Sequence, residues 1–183
     1  IGAGASLAAL RSMVQSLVAE GGRGRLIRRG ARVVLFGPVN AGKSTLFNAL
    51  LREERALVDD EPGTTRDLLE ARLEIQGLGV TLCDTAGLRD DEGLGRVEAQ
   101  GMRRAVEATR AADLAVLVVP AGMDEAEVER WSAQASGLAL MRVRSKGDLA
   151  PTGSSGNEET VVCALTGKGI EDLRAALVAR LWG

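Results

Sequence analysis

The run Gly37-Pro38-Val39-Asn40-Ala41-Gly42-Lys43-Ser44 sets two glycines, a lysine and a hydroxyl at the spacing G-x-x-x-x-G-K-[ST]. Glycines let a backbone curl tightly, so that successive N–H groups and the first turn of a following helix converge on one phosphate chain. An ammonium at Lys43 then faces β- and γ-phosphates, and a hydroxyl at Ser44 can hold Mg²⁺. A glycine-rich turn that binds nothing is the bland alternative, and the context argues against it. Val33-Val34-Leu35-Phe36 reads as a short buried strand before the loop, and Thr45-Leu46-Phe47-Asn48-Ala49-Leu50-Leu51 as the first turns of a helix after it. The expected ligand is a nucleoside triphosphate, held by Asn40, Ala41, Gly42, Lys43, Ser44 and Thr45.

Two further blocks follow in order. Asp84-Thr85-Ala86-Gly87 ends the apolar stretch Val80-Thr81-Leu82-Cys83, at the edge where an α/β sheet places its ligand. There Asp84 can serve the Mg²⁺ shell and the Gly87 N–H can reach a γ-phosphate. Ser145-Lys146-Gly147-Asp148 also follows a strand. Its carboxylate can accept from guanine N1–H and N2–H₂, donors that adenine lacks, while the Lys146 stem lies along the purine face. Alone this last block is weak; third in order after the other two, it predicts guanine.

The elements that must position these groups alternate. Leu69, Ala71, Leu73 and Ile75 alternate with Glu70, Arg72, Glu74 and Gln76, which predicts a half-exposed antiparallel strand near a sheet edge, turned back by Gln76-Gly77-Leu78-Gly79. A helix is expected from about Arg96 to Ala111 and another from Glu125 to Ser136. Leu114-Ala115-Val116-Leu117-Val118-Val119 is apolar on both faces, as in a central parallel strand. Strands are expected over Leu138–Val143 and Thr160–Ala164, and Ile170, Leu173, Leu177 and Leu181 mark a closing helix. The expected architecture is α/β: a mostly parallel six-stranded sheet with one antiparallel strand near the edge and helices on both faces. The polar stretches from Arg52 to Asp67 and Pro151 to Asn157 read as loops. Near the start, Leu7, Leu10, Val14, Leu17 and Val18 have the spacing that predicts an amphipathic helix, and Arg23, Arg25, Arg28, Arg29 and Arg32 read as a solvated connector rather than an RNA contact.

Composition excludes several classes. The net charge is −2, so no global basic field points to nucleic acid. His is absent, which removes histidine metal sites and general bases, and with two Phe, two Trp and no Tyr there is no stacking platform. Cys83 and Cys163 are far apart and lack any C-x-x-C partner, as reduced core thiols of a cytoplasmic protein would. The longest apolar run, Leu114 to Ala121, falls well short of the roughly 20 residues that span a bilayer. The chain opens on Ile1 rather than Met and is expected to be a piece of something longer.

Together the three blocks resemble those of the translation-factor-like GTPases. Gly37-Pro38-Val39-Asn40-Ala41-Gly42-Lys43-Ser44, Pro62-Gly63-Thr64-Thr65-Arg66-Asp67 and Asp84-Thr85-Ala86-Gly87-Leu88-Arg89 resemble the MnmE (TrmE) family of bacterial tRNA-modification GTPases. Leu26-Ile27-Arg28-Arg29-Gly30, Val97-Glu98-Ala99-Gln100-Gly101 and Cys163-Ala164-Leu165-Thr166-Gly167-Lys168-Gly169-Ile170 favour that family over its ribosome-assembly relatives Era and Der. The resemblance covers residues 23–182 and implies a P-loop GTPase (Ras-like) fold, with residues 1–30 from an adjoining helical domain and 31–183 as the GTP-binding domain. A folate-binding domain and a C-terminal helical region with a reactive Cys motif belong to the family but not to this sequence.

Residue by residue, the resemblance implies that Ser44 and Thr65 ligate Mg²⁺. Asn40, Thr64 and carbonyls around Asp59 and Glu61 would bind K⁺ beside the phosphates. Lys43 and Asn40 would stabilise the transferred phosphoryl group, and Asp84, Thr85, Ala86 and Gly87 would frame it. Ser145, Lys146 and Asp148, with the backbone of Cys163, Ala164 and Leu165, would read guanine in GTP and GDP. Ser145 stands where the family has Asn. Leu88 occupies the place of the Gln that orients water in Ras-like proteins, and Glu98 is the replacement the resemblance offers; a solvated helix carboxylate is the other reading of Glu98. The implied activity is K⁺-stimulated GTP hydrolysis by a homodimer of GTP-binding domains, in a tRNA wobble-uridine modification system with an FAD-dependent MnmG partner. The alternative is a ribosome-assembly GTPase of the Era or Der type, acting as a nucleotide-gated RNA-binding switch.

Overall fold

The computed structural model describes residues 24, 26, 28–52, 69–85, 111–148 and 160–182. Among these residues six strands form one sheet in the order β2-β3-β1-β4-β5-β6. They are β1 (Ala31–Phe36), β2 (Leu69–Ile75), β3 (Leu78–Asp84), β4 (Leu114–Pro120), β5 (Leu140–Ser145) and β6 (Thr160–Val161). Among the described strands only β2 runs antiparallel, and it lies at the edge. Its charged residues Glu70, Arg72 and Glu74 are exposed while Leu73 and Ile75 are buried, so the alternation expected of a half-exposed strand is met. Gln76 and Gly77 both take positive φ (50° and 82°), which makes the β2–β3 connection a two-residue type I′ turn. Leu78 and Gly79, expected in that turn, already pair with β2.

β4 is central, between β1 and β5, and buried on both faces. Leu114, Val116 and Val118 pack with Val33 and Leu35 against helices α1 (Lys43–Arg52) and α3 (Ile170–Trp182). Ala115, Leu117 and Val119 pack with Phe36 against Val128 and Trp131 of α2 (Glu125–Ser132). The period of two thus sends successive residues of one strand to helices on opposite faces. Asp124 caps α2 by accepting the Glu127 N–H at 2.8 Å. The Arg174 guanidinium, buried on α3, donates to Leu50 O at 2.9 Å and so caps the last turn of α1.

Several sequence expectations are corrected. The helix expected to reach Ser136 ends at Ser132, followed by a 3₁₀ turn over Ala133–Ala135. The fifth strand is shifted to Leu140–Ser145, with Gly137 turning at φ 89° ahead of it. The last strand keeps only Thr160 and Val161, because Cys163 bends into an isolated bridge with Lys168. Of the arginine connector, Arg28 and Arg29 are exposed as expected, and Arg32 is half-buried. Arg29 pairs with Asp113 at 2.5 Å, and the same carboxylate accepts the Arg32 N–H at 2.8 Å. Arg32 also pairs with Glu70, a hydrogen bond that holds its guanidinium above the ordinary arginine range despite burial. Gly30, at φ 75°, closes a helical turn by donating to Leu26 O at 2.9 Å, and Leu26 packs against the core. The expected elements within 1–23, 53–68, 86–110 and 149–159 lie outside the described residues.

Candidate functional site

The parallel strands β1, β3, β4 and β5 all end at one edge of the sheet, where β3 carries Asp84, β5 carries Ser145 and β1 runs into the phosphate loop. β1 leads through Gly37 into the loop and then α1. Gly37 takes φ 141°, and a Cβ on it would come within 2.5 Å of Val118 O, so the loop leaves β1 pressed against the backbone of β4. Gly42 takes φ 92° and Asn40 φ 60°, the left-handed region that glycine adopts freely and Asn tolerates best among side chains. This alternation of backbone handedness makes the loop concave, and α1 opens from it at Lys43, with Leu46 N–H closing the first turn on Gly42 O at 2.9 Å.

Lys43 is 8% exposed, and its ammonium spans the loop, donating to Gly37 O at 2.9 Å and Pro38 O at 2.7 Å. Burial pushes it below the ordinary lysine range, and the charge of Asp84 offsets part of that. A desolvated cation at a helix N-terminus, held by neutral carbonyls, is a fit for a phosphate chain. Ser44 and Thr45 follow with exposed side chains. Asp84 is fully buried at the end of β3, alongside Leu35 of β1. Thr85 Oγ1 donates to Leu35 O at 3.0 Å and fastens that strand end to the one bearing the loop. An exposed hydroxyl at Ser44 and a carboxylate at Asp84, both beside the loop, are hard oxygen donors of the kind Mg²⁺ takes. Bound there, Mg²⁺ would neutralise phosphate oxygens.

The third block begins on the last residue of β5. Ser145 is 3% exposed, and its Oγ donates to Ala41 O at 2.5 Å, with Val119 O at 3.3 Å. This contact was not foreseen: Ser145 was expected at the base, and its hydroxyl is turned to the phosphate loop instead. The smallness of the residue, set against Gly42, was the only signal in the sequence. Lys146 at φ 55° and Asp148 are exposed beyond it. Gly147 donates to Val162 O at 3.0 Å and packs so closely that a Cβ would meet Val161 Cγ1 at 2.8 Å. That contact sets the loop bearing Asp148 beside the turn at Cys163-Ala164-Leu165. The turn is closed on Cys163, which accepts from Thr166 N and Gly167 N at 3.2 and 3.0 Å and donates to Lys168 O at 2.9 Å. Cys163 is buried, Ala164 is half-buried and Leu165 is 84% exposed. Asp59, Glu61, Thr64, Thr65, Ala86, Gly87 and Glu98 lie outside the described residues.

A model of the 50S ribosome-binding GTPase family matches residues 32–145, which run from β1 to Ser145 and hold the phosphate loop, Asp84 and Thr85. The chain belongs to this family. It is the GTP-binding domain of a GTP hydrolase, and guanine nucleotide with Mg²⁺ is what the family binds. It is 56% identical over 180 residues to the tRNA modification GTPase MnmE of Myxococcus xanthus, covering 98% of this chain and 40% of that protein. Its identity to the MnmE of Parvibaculum lavamentivorans is 44%, over 97% of this chain and 39% of that one. The resemblance drawn from the motifs is therefore borne out, and the chain spans about two fifths of the length of the curated relatives it matches. Among solved structures, elongation factor SelB of Methanococcus maripaludis with GppNHp aligns at TM-score 0.62 and 19% identity, over 82% of this chain and 33% of that one. An Aquifex aeolicus Era variant bound to GDP and AlF₄⁻ aligns at 0.61 and 20%, over 82% of this chain and 56% of that one. These likenesses show the P-loop GTPase fold. No helix among the described residues is long and apolar enough to cross a membrane.

Proposed function

We propose that this domain, residues 31–183 with an adjoining helical segment over 1–30, supplies GTP hydrolysis to a cytoplasmic tRNA-modification GTPase of the MnmE type. The observation that carries this reading is the 56% identity over 98% of the chain to a tRNA modification GTPase MnmE. In this reading Asp148 and the Cys163-Ala164-Leu165 turn read guanine, Asn40 to Thr45 hold the phosphates, and Ser44 and Thr65 ligate Mg²⁺. Asn40, Thr64 and carbonyls around Asp59 and Glu61 surround K⁺, and Glu98 orients the attacking water. Asn40 is exposed in a left-handed conformation within the loop, which supports a side chain available to a cation beside the phosphates. A cation there offsets charge developing on the phosphoryl group, and the ordered loops around it present a surface to a second copy. The full-length protein would act on tRNA wobble uridine with an FAD-dependent MnmG partner.

The direct test is mass spectrometry of tRNA from a strain lacking the full-length gene. The wild-type gene should restore the wobble-uridine modification and Lys43→Ala should not. An unchanged tRNA profile together with a ribosome-assembly defect would replace this reading with the Era or Der type. For the cation, turnover should fall when Na⁺ replaces K⁺ at equal ionic strength. Equal rates in both salts, with a monomer in sedimentation under GDP, K⁺ and aluminium fluoride, would remove K⁺ and pairing from the mechanism.

A further inference from the structure

We propose that the junction from Leu26 to Arg32 is a rigid arm of the GTP-binding domain, keyed to the sheet at Asp113, Glu70 and Gly79. The adjoining helical segment is then carried as one body with the nucleotide site, and in this the inference rests on the reading above. Leu26, Arg28 and Arg29 are helical, and Gly30 ends that turn at φ 75° by donating to Leu26 O at 2.9 Å. β1 begins at the next residue, Ala31, so Gly30 alone joins helix to strand. A glycine in such a place would be a free pivot, since it takes either sign of φ readily. The sheet removes that freedom. A Cβ on Gly30 would come within 2.8 Å of Gly79 O, so the joint lies against β3, and Leu26 before it packs on the core.

Arg32 is held from two sides. Its N–H donates to Asp113 Oδ2 at 2.8 Å, and its carbonyl accepts the Asp113 N–H at 2.8 Å, a reciprocal pair just ahead of β4. The other carboxylate oxygen of Asp113 accepts from Arg29 of the helical turn at 2.5 Å. Arg29 is 57% exposed, so solvent and salt weaken that pair, and the half-buried contacts to Arg32 carry more weight. Towards β2, the Arg32 guanidinium forks onto both carboxylate oxygens of Glu70. Glu70 adjoins Leu69, which pairs with Asp84 at the phosphate site. One residue at the root of the arm thus ties the approach to β4 to the strand that reaches the nucleotide. A swing of the adjoining segment against the sheet cannot pivot at Gly30, so movement of the domain during the GTP cycle passes that joint without slack.

The test places nitroxide labels on the full chain at Arg28→Cys, in the arm, and Asp172→Cys, exposed in the first turn of α3. Pulsed electron–electron double resonance then measures their separation. Cys83 and Cys163 are buried, so the label goes to the two introduced thiols. The distance distribution should be single and as narrow as that of a control pair inside the domain, Arg130→Cys with Asp172→Cys. Asp113→Ala should widen it about twofold or more, because the Arg32 N–H and the Arg29 guanidinium lose their acceptor together, while the control pair keeps its width. Where Asp113→Ala does not fold, Arg32→Gln, which keeps the backbone pair and drops the fork to Glu70, should still widen the distribution. A broad distribution in the unaltered junction, or equal widths with and without Asp113 and the Arg32 guanidinium, would overturn the proposal. The tRNA reading fails separately, in the complementation assay above.

Discussion

Replacing Lys43 with Met keeps an unbranched apolar stem and removes the ammonium, which should separate binding from folding. In the nucleotide-free chain two terms oppose each other. The donors to Gly37 O and Pro38 O are lost, each worth about 1 kcal/mol net. The desolvation that pushes Lys43 below the ordinary lysine range is relieved, since the charged form is the one that burial disfavours. The relief offsets part of the loss, so the unfolding free energy without nucleotide should fall by less than the roughly 2 kcal/mol of the two hydrogen bonds. With nucleotide nothing cancels. Unit charges 4 Å apart at an effective dielectric of about 20 attract by about 4 kcal/mol, and the chain has already desolvated its cation before the phosphates arrive. A loss of roughly 3–4 kcal/mol corresponds to about 10²- to 10³-fold in affinity. The same logic fixes the pH dependence. Phosphate favours the protonated amine, so binding takes up a proton, and wild-type affinity falls as pH rises through the lowered pKa of the free chain. That fall should vanish in Lys43→Met. Calorimetric titration with GTP across alkaline pH measures both effects. Wild-type affinity in the variant, or a loss of more than about 3 kcal/mol in the nucleotide-free chain, would refute the reasoning.

Gly37→Ala should destabilise the chain by about 2–4 kcal/mol, from the Val118 O contact at 2.5 Å and the φ of 141°. Gly77→Ala, at φ 82° with nothing within 4 Å, should cost only about 1 kcal/mol, and equal urea midpoints for the two would contradict the packing argument. Asp148→Asn should transfer preference from GTP to xanthosine triphosphate, whose 2-oxo group accepts from the Asn amide where guanine's N2–H₂ donates to the carboxylate; retained GTP preference in a competition assay would rule out Asp148 as the guanine reader. Burial pushes the Cys83 thiol up to about 12, so it should resist iodoacetamide at pH 8 in the folded chain and react on unfolding. Rapid labelling of Cys83, mapped by mass spectrometry, would show that the strand is not packed as described.

The phosphate loop, the strand before it, the helix after it and the edge strand β2 were legible in the sequence because each rests on local chemistry. Positive-φ glycines, a lysine at fixed spacing and an alternation of charge with apolar residues act within a few residues of one another. The order of strand and helix patterns was enough to require a parallel sheet, with β4 central because both its faces are apolar. Tertiary structure alone decided what pairs across that sheet. Ser145 reaches Ala41 only because β5 ends beside the loop that follows β1. Arg32 looks like part of a solvated basic run until β2 brings Glu70 to its guanidinium and Asp113, just before β4, accepts its N–H. Arg174 has the spacing of a surface helix residue, yet the packing of α3 on α1 buries it under the last carbonyls of α1. β6 stops after two residues because its chain must bend to bridge Cys163 with Lys168, a contact no period in the sequence encodes. Local spacing specifies which backbone conformations are cheap. Which carboxylate or carbonyl a distant donor meets depends on how the sheet is ordered, and that is decided by burying both faces at once.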